Sequence, residues 1–216
     1  MQFTPIAVDQ TTAITDLLLA LAVFFFMLQL RRVKTPRQWK LSMWIWTFAI
    51  LGASAALGTI AHGLVLSPQV YEFVWHAIYF TLGVGIAVFV SGVMCDLWSE
   101  SSSRRLLPWL VIVGLGFYLL TVTMPQGFIL FVYYQAAAMG ASLITYLYLM
   151  ARKTSGAGWI ALGLAISIVG AAIEGTFTFS FRLIWEFDHN SVYHLLQGLG
   201  FACLTLGLRR SLKVEA

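Results

Sequence analysis

Five ionisable residues fall inside or at the edge of long apolar stretches: Asp16, His62, His76, Glu174 and His194. Ionisable groups are costly against lipid, so each of them asks for a reason. Three histidines suit a metal. Neutral imidazole is a common zinc ligand, and three His with one water make a catalytic set. Bound zinc brings the pKa of its water to about 7, which supplies hydroxide without a strong base. Glu174 or Asp16 would then orient a ligand histidine or accept the proton. Such a centre at a membrane interface suits cleavage of an ester or amide in a lipid. The plain alternative is structural: an interhelical His hydrogen-bonded to Glu, Ser or Tyr.

The elements that position these groups are read from composition. The chain has 216 residues, 60% apolar and 10% charged, whereas a soluble domain is about 45–50% apolar and about 25% charged. An all-α bundle crossing a membrane is expected. Seven apolar runs are long enough, or nearly so, to cross a core about 30 Å thick. They lie near 13–30, 41–66, 71–96, 106–123, 127–150, 157–181 and 190–208, with Pro108 in the first turn of the fourth. "SPQ" at 67–69 and "MPQG" at 124–127 read as turns. The connections are short, so residues 1–216 form one domain. No positive n-region precedes the first run, which reads as a retained anchor. Cys95 and Cys203 stand alone in apolar runs and read as small core residues.

Positive charge orients the bundle. Twelve of the thirteen Lys and Arg residues fall in the first, third and fifth connections and the C-terminal tail; Arg182 is the exception. By the positive-inside rule the N-terminus lies outside and the C-terminus in the cytoplasm, as expected for a bacterial inner-membrane protein. The net charge of +4 is therefore a matter of topology and gives no sign of a nucleic-acid partner.

In that orientation Asp16, His62, His76, Glu174 and His194 share one shallow outer layer, about 6–10 Å deep for the latter four. Helical spacing groups their neighbours into faces. Ser54, Gly58 and His62 share one; Glu72, His76 and Tyr79 a second; Ser167, Gly170 and Glu174 a third; Asn190, His194 and Gln197 a fourth. His189 is rotated off the last stripe. The simplest arrangement points all four faces into one polar cavity open to the outer side, lined by Ser54, Glu72, Tyr79, Asn190 and Gln197.

Seven helices, a His late in the second and "HLLQGLG" opening the last resemble the superfamily of alkaline ceramidases, adiponectin receptors and Per1 proteins. The resemblance covers the whole chain in outline. It implies a zinc ion held by three histidines and hydrolysis of a lipid amide or ester, with membrane lipid as partner and source of substrate. His62 and His194 match that pattern, and His76 would stand in as third ligand. Gly58 stands where the family has Ser, and Asn190 where it has a further His.

Other classes use similar features. Two histidines on facing helices can ligate a b-type haem. A small transporter usually places its site near the midplane, deeper than this layer, whereas a ligand-sensing bundle has no such requirement. Tyr133, Tyr134 and Gln135 would line a cavity of either kind. A retinal protein needs a mid-helix lysine, and all four lysines are expected in loops or the tail.

Overall fold

The computed structural model describes residues 2–176 and 178–213. Seven helices dominate it: α1 Ala7–Arg31, α2 Gln38–Gly63, α3 Pro68–Leu97, α4 Glu100–Thr123, α5 Gly127–Ala151, α6 Ala157–Thr176 and α7 His189–Leu212. All seven are long and apolar enough to cross a membrane. Each neighbour in sequence packs on the next, and α1 also packs on α7, which closes the ring. The main core lies between α1, α2, α3, α5, α6 and α7, around Trp44, Phe48, Tyr146, Leu164 and Leu208. By contrast, α4 buries only Ser103, Gly114 and Thr121 and lies at the margin.

Helix starts follow local chemistry. Ser67 accepts from the amide of Val70 and Pro68 takes the first helical position, where a missing N–H costs nothing. "SPQ" is thus a helix start as well as a turn. Ser99 accepts from the amide of Ser102 and Glu100 sits in the first turn. Together they start α4 about six residues before the expected boundary, which leaves Pro108 inside the helix. Asp188 accepts from the amide of Ser191 at 2.7 Å and caps α7.

The sixth helix ends earlier than the apolar run implies. Its described part reaches Thr176, and Ser180–Arg182 (β3) then pairs antiparallel with Glu186–Asp188 (β4) as a hairpin leading into α7. A second pairing joins Gln2–Phe3 (β1) to Leu64–Val65 (β2) and fastens the start of the chain to the end of α2. Close approach of α6 and α7 depends on glycine. A Cβ on Gly163 would meet the carbonyl oxygen of Gly200 at 2.7 Å.

Where α2 and α4 begin and α3, α5 and α7 end, the bundle carries a buried ionic cluster. Lys40 is expected in a loop, but it is the third residue of α2 and fully buried. Its Nζ lies 2.6 Å from Asp96 Oδ2 on α3 and donates to Ser211 Oγ on α7 at 2.8 Å. Arg37 Nη1 donates to Asp96 Oδ1 at 2.9 Å, and the hydroxyl of Tyr146 on α5 donates to Oδ2 at 3.0 Å. Four helices are thus tied to one carboxylate whose oxygens are both partnered. Breaking a buried pair by removing one partner is strongly destabilising, whereas removing both charges is tolerated far better. Lys40→Met should lower stability by about 3 kcal/mol, read as a drop in thermal unfolding temperature in detergent. Lys40→Met combined with Asp96→Asn should recover a large part of it.

Candidate functional site

At the opposite end, where α1 and α7 begin, the polar groups are arranged differently. Thr12, Thr15 and Asp16 sit at i, i+3 and i+4 on α1 and so share one face. Ser191 and His194 share a face on α7. All five are buried, none more than 7% exposed. They face one another across the α1–α7 contact.

The hydrogen bonds form two linked sets. In the first, Asp188 Oδ1 accepts from the Ser191 amide and hydroxyl, both at 2.7 Å, and from the Thr12 hydroxyl at 3.2 Å. In the second, Thr15 Oγ1 donates to the Thr12 carbonyl at 2.9 Å and lies 3.2 Å from His194 Nδ1. His194 Nε2 lies 3.2 Å from Asp16 Oδ1.

This chain of contacts constrains the protons. A hydroxyl has one hydrogen to donate, and that of Thr15 goes to Thr12. Turned to Nδ1 it would leave the ring hydrogen on Nε2; held on Thr12 it accepts from His194, and Nδ1 carries the hydrogen. In neutral imidazole the other nitrogen is then an acceptor, and it faces a carboxylate oxygen, another acceptor. In that arrangement the contact between Asp16 and His194 becomes attractive when one further proton lies between them. It is held either as a carboxylic acid facing imidazole or as a carboxylate facing imidazolium.

Asp16 Oδ2 is buried and has no hydrogen-bond partner among the described residues. It is pressed against α2 at Gly58, where a Cβ would come within 2.6 Å of that oxygen. A larger residue here would have to push the carboxyl group aside. One turn on, His62 is half-buried with its ring edge-on to Trp75 at 5.7 Å. Tyr193 stacks obliquely beside His194 at 5.2 Å and also feels the charges of Glu174 and Asp16.

The other expected site residues divide. His76 is on the α3 surface, 40% exposed and 3.9 Å from Glu72. It joins Tyr79 in a shallow groove, away from His194. Glu174 is half-buried on α6 within electrostatic reach of His189. Gln197 donates to the Ser167 carbonyl at 3.0 Å and joins α7 to α6. Ser54 is buried one turn before Gly58. The Asn190 side chain is half-buried and makes no hydrogen bond among the described residues. Tyr133 is 66% exposed and Tyr134 stacks on Phe117 at 4.5 Å, so neither lines a cavity with these groups. The three histidines do not meet, and among the described residues no group of three or more His, Cys, Asp or Glu is placed to hold a metal ion.

Sequence reasoning missed Thr12, Thr15, Asp188 and Ser191. The spacing in "TTAITD" held the signal for α1, but the first span was expected to begin at 13, which cut Thr12 from the helix.

Asp188 lies outside the spans. Burial pushes its carboxyl up, but the hydrogen bonds from Ser191 and Thr12 outweigh this and hold it below the usual carboxylate range. A depressed folded value means that its stabilisation is present above the unfolded value of about 3.9 and is lost as pH falls through the folded one. The difference in unfolding temperature between wild type and Asp188→Asn should be steady above about pH 5 and shrink below about pH 4.

No curated protein and no solved structure matches the chain. A family model described as a family of unknown function, DUF6962, matches residues 11–213. That span takes in all seven helices except the first residues of α1, and with it both the Asp16–His194 contact and the Lys40–Asp96 cluster. The chain therefore belongs to the DUF6962 family.

Proposed function

We propose that the chain is a non-catalytic, proton-responsive membrane bundle, of the sensing class, in which the Asp16–His194 pair is the responding group. The observation that carries this reading is the buried 3.2 Å contact between a carboxyl group and an imidazole, an acid and a base that share a proton when Nδ1 of His194 holds the ring hydrogen. The pair joins the first helix to the last, so its protonation bears on how those helices pack. The groups around it are Asp188, His62 on α2, Tyr193 on α7 and, through Tyr193, Glu174 on α6. Positive charge lies mostly at the other end, which under the positive-inside rule supports an outer-side position for this centre and a cytoplasmic C-terminus.

The zinc-dependent lipid hydrolase is a second reading, favoured by Asp16 Oδ2, which has no partner among the described residues. As folded, the residues do not fit a three-ligand site. Asp16 and His194 meet, His62 would have to move in from α2, and His76 is on another surface. Glu174 is separate from the pair that would need a proton acceptor.

One experiment separates the two. Cysteines at exposed Leu18 and Leu199, in a chain with Cys95 and Cys203 replaced by Ala, would carry spin labels on α1 and α7. The distance between labels should shift between about pH 5 and pH 8, and Asp16→Asn and His194→Ala should each abolish the shift. A pH-independent distance would overturn the proton reading. One zinc per chain in the purified wild type, lost in both variants, would favour the hydrolase.

A further inference from the structure

The groove on α3 has a chemistry of its own. Tyr71, Trp75 and Tyr79 recur every four residues on one face of the helix, with Glu72 and His76 beside them, and together they line a space of about 400 Å³. Ring centroids are 6.1 Å apart for Tyr71–Trp75 and 5.7 Å for Trp75–Tyr79, so the three rings form a continuous wall. The wall is braced from behind. Trp75 meets the His62 ring edge-on, and Tyr79 packs on Phe128 and Phe131 of α5.

Depth and charge narrow the occupant. At 1.5 Å per residue, the thirty residues of α3 cover about 45 Å, a full bilayer with its headgroup layers. Tyr71 and Glu72 then stand at headgroup level, with Trp75 and Tyr79 just below. Aromatic faces attract cations, and quaternary ammonium groups are often recognised by rings of this kind. Glu72 is 72% exposed and supplies a negative charge at the rim. No Lys or Arg lies in "GLVLSPQVYEF", residues 63–73, nor in the 124–127 turn beside it. An aromatic belt alone would scatter its rings around the bundle at one depth; here they converge with a carboxylate on one groove.

We propose that this groove binds the headgroup of a zwitterionic phospholipid, seating its trimethylammonium against Tyr71, Trp75 and Glu72. The acyl chains continue along α3 past Tyr79, and the phosphate stays towards water. The occupant is a membrane lipid in place, held by its headgroup.

Native mass spectrometry of the full chain tests this. The detergent-purified protein would be mixed with equal amounts of phosphatidylcholine and phosphatidylglycerol carrying the same acyl chains. Wild type should retain phosphatidylcholine about fivefold over phosphatidylglycerol, a ratio of the size one exposed cation–π contact gives. Trp75→Leu and Glu72→Gln should each bring the ratio close to one. Glu72 is exposed at the groove's rim, so the Glu72→Gln result stands even if Trp75→Leu fails to fold. Equal retention of the two lipids by wild type, a preference for phosphatidylglycerol, or a preference that survives Glu72→Gln would overturn the proposal.

Discussion

A charged group between apolar helices must find its partner in the protein, because lipid offers none. The Lys40–Asp96 contact is where this constraint acts most strongly. Lys40 is fully buried at the start of α2, and Asp96 answers it from the end of α3 while also taking Arg37 and Tyr146. Ser211 brings in α7. With α2, α3, α5 and α7 held at one point, this end of the bundle is chemically complete. The other end is not. There α1 and α7 meet through the Asp16–His194 pair, beside a carboxylate oxygen with no partner among the described residues. The contrast separates a structural cluster from the one we propose to be responsive, although both are built from an acid and a base.

The seven helices were legible because their signal is redundant: apolar length, short connections and alternating positive charge all give the same count. Boundaries were less legible, and the reasons are local. Ser99 and Glu100 start α4 in a stretch polar enough to read as a loop. The apolar run after Gly175 continues in composition, but Ser180–Arg182 belongs to a hairpin, and hydropathy does not distinguish a surface hairpin from the end of a helix. Lys40 read as a loop residue for a related reason. Its charge counted toward orientation, and the pairing that buries it comes from residues 56 and 171 positions away.

That Asp16 and His194 share one level of the bundle was legible, and rotation about each helix was not. Helical spacing groups residues on one helix but does not say which neighbour that face meets. The Glu72–His76–Tyr79 face was grouped correctly, yet it lines the α3 groove and not a shared cavity. Gly58 is the instructive case. It read as part of the His62 face and as a missing serine, while in the fold it is the space the Asp16 carboxyl occupies. Its functional content lies in an absent side chain, which a motif cannot display.

The proton response turns on which nitrogen of His194 carries its hydrogen when the ring is neutral. With the Thr15 hydrogen on Thr12, Nδ1 is the protonated atom and the bare Nε2 faces Asp16. Nitrogen-15 NMR of histidine-labelled protein reads this directly, with His194→Gln to assign the signal. A proton-responsive pair requires a protonated Nδ1 throughout, and an Nε2 signal that shifts with pH and changes in Asp16→Asn. A neutral His194 with the hydrogen on Nε2 and a bare Nδ1 would contradict it.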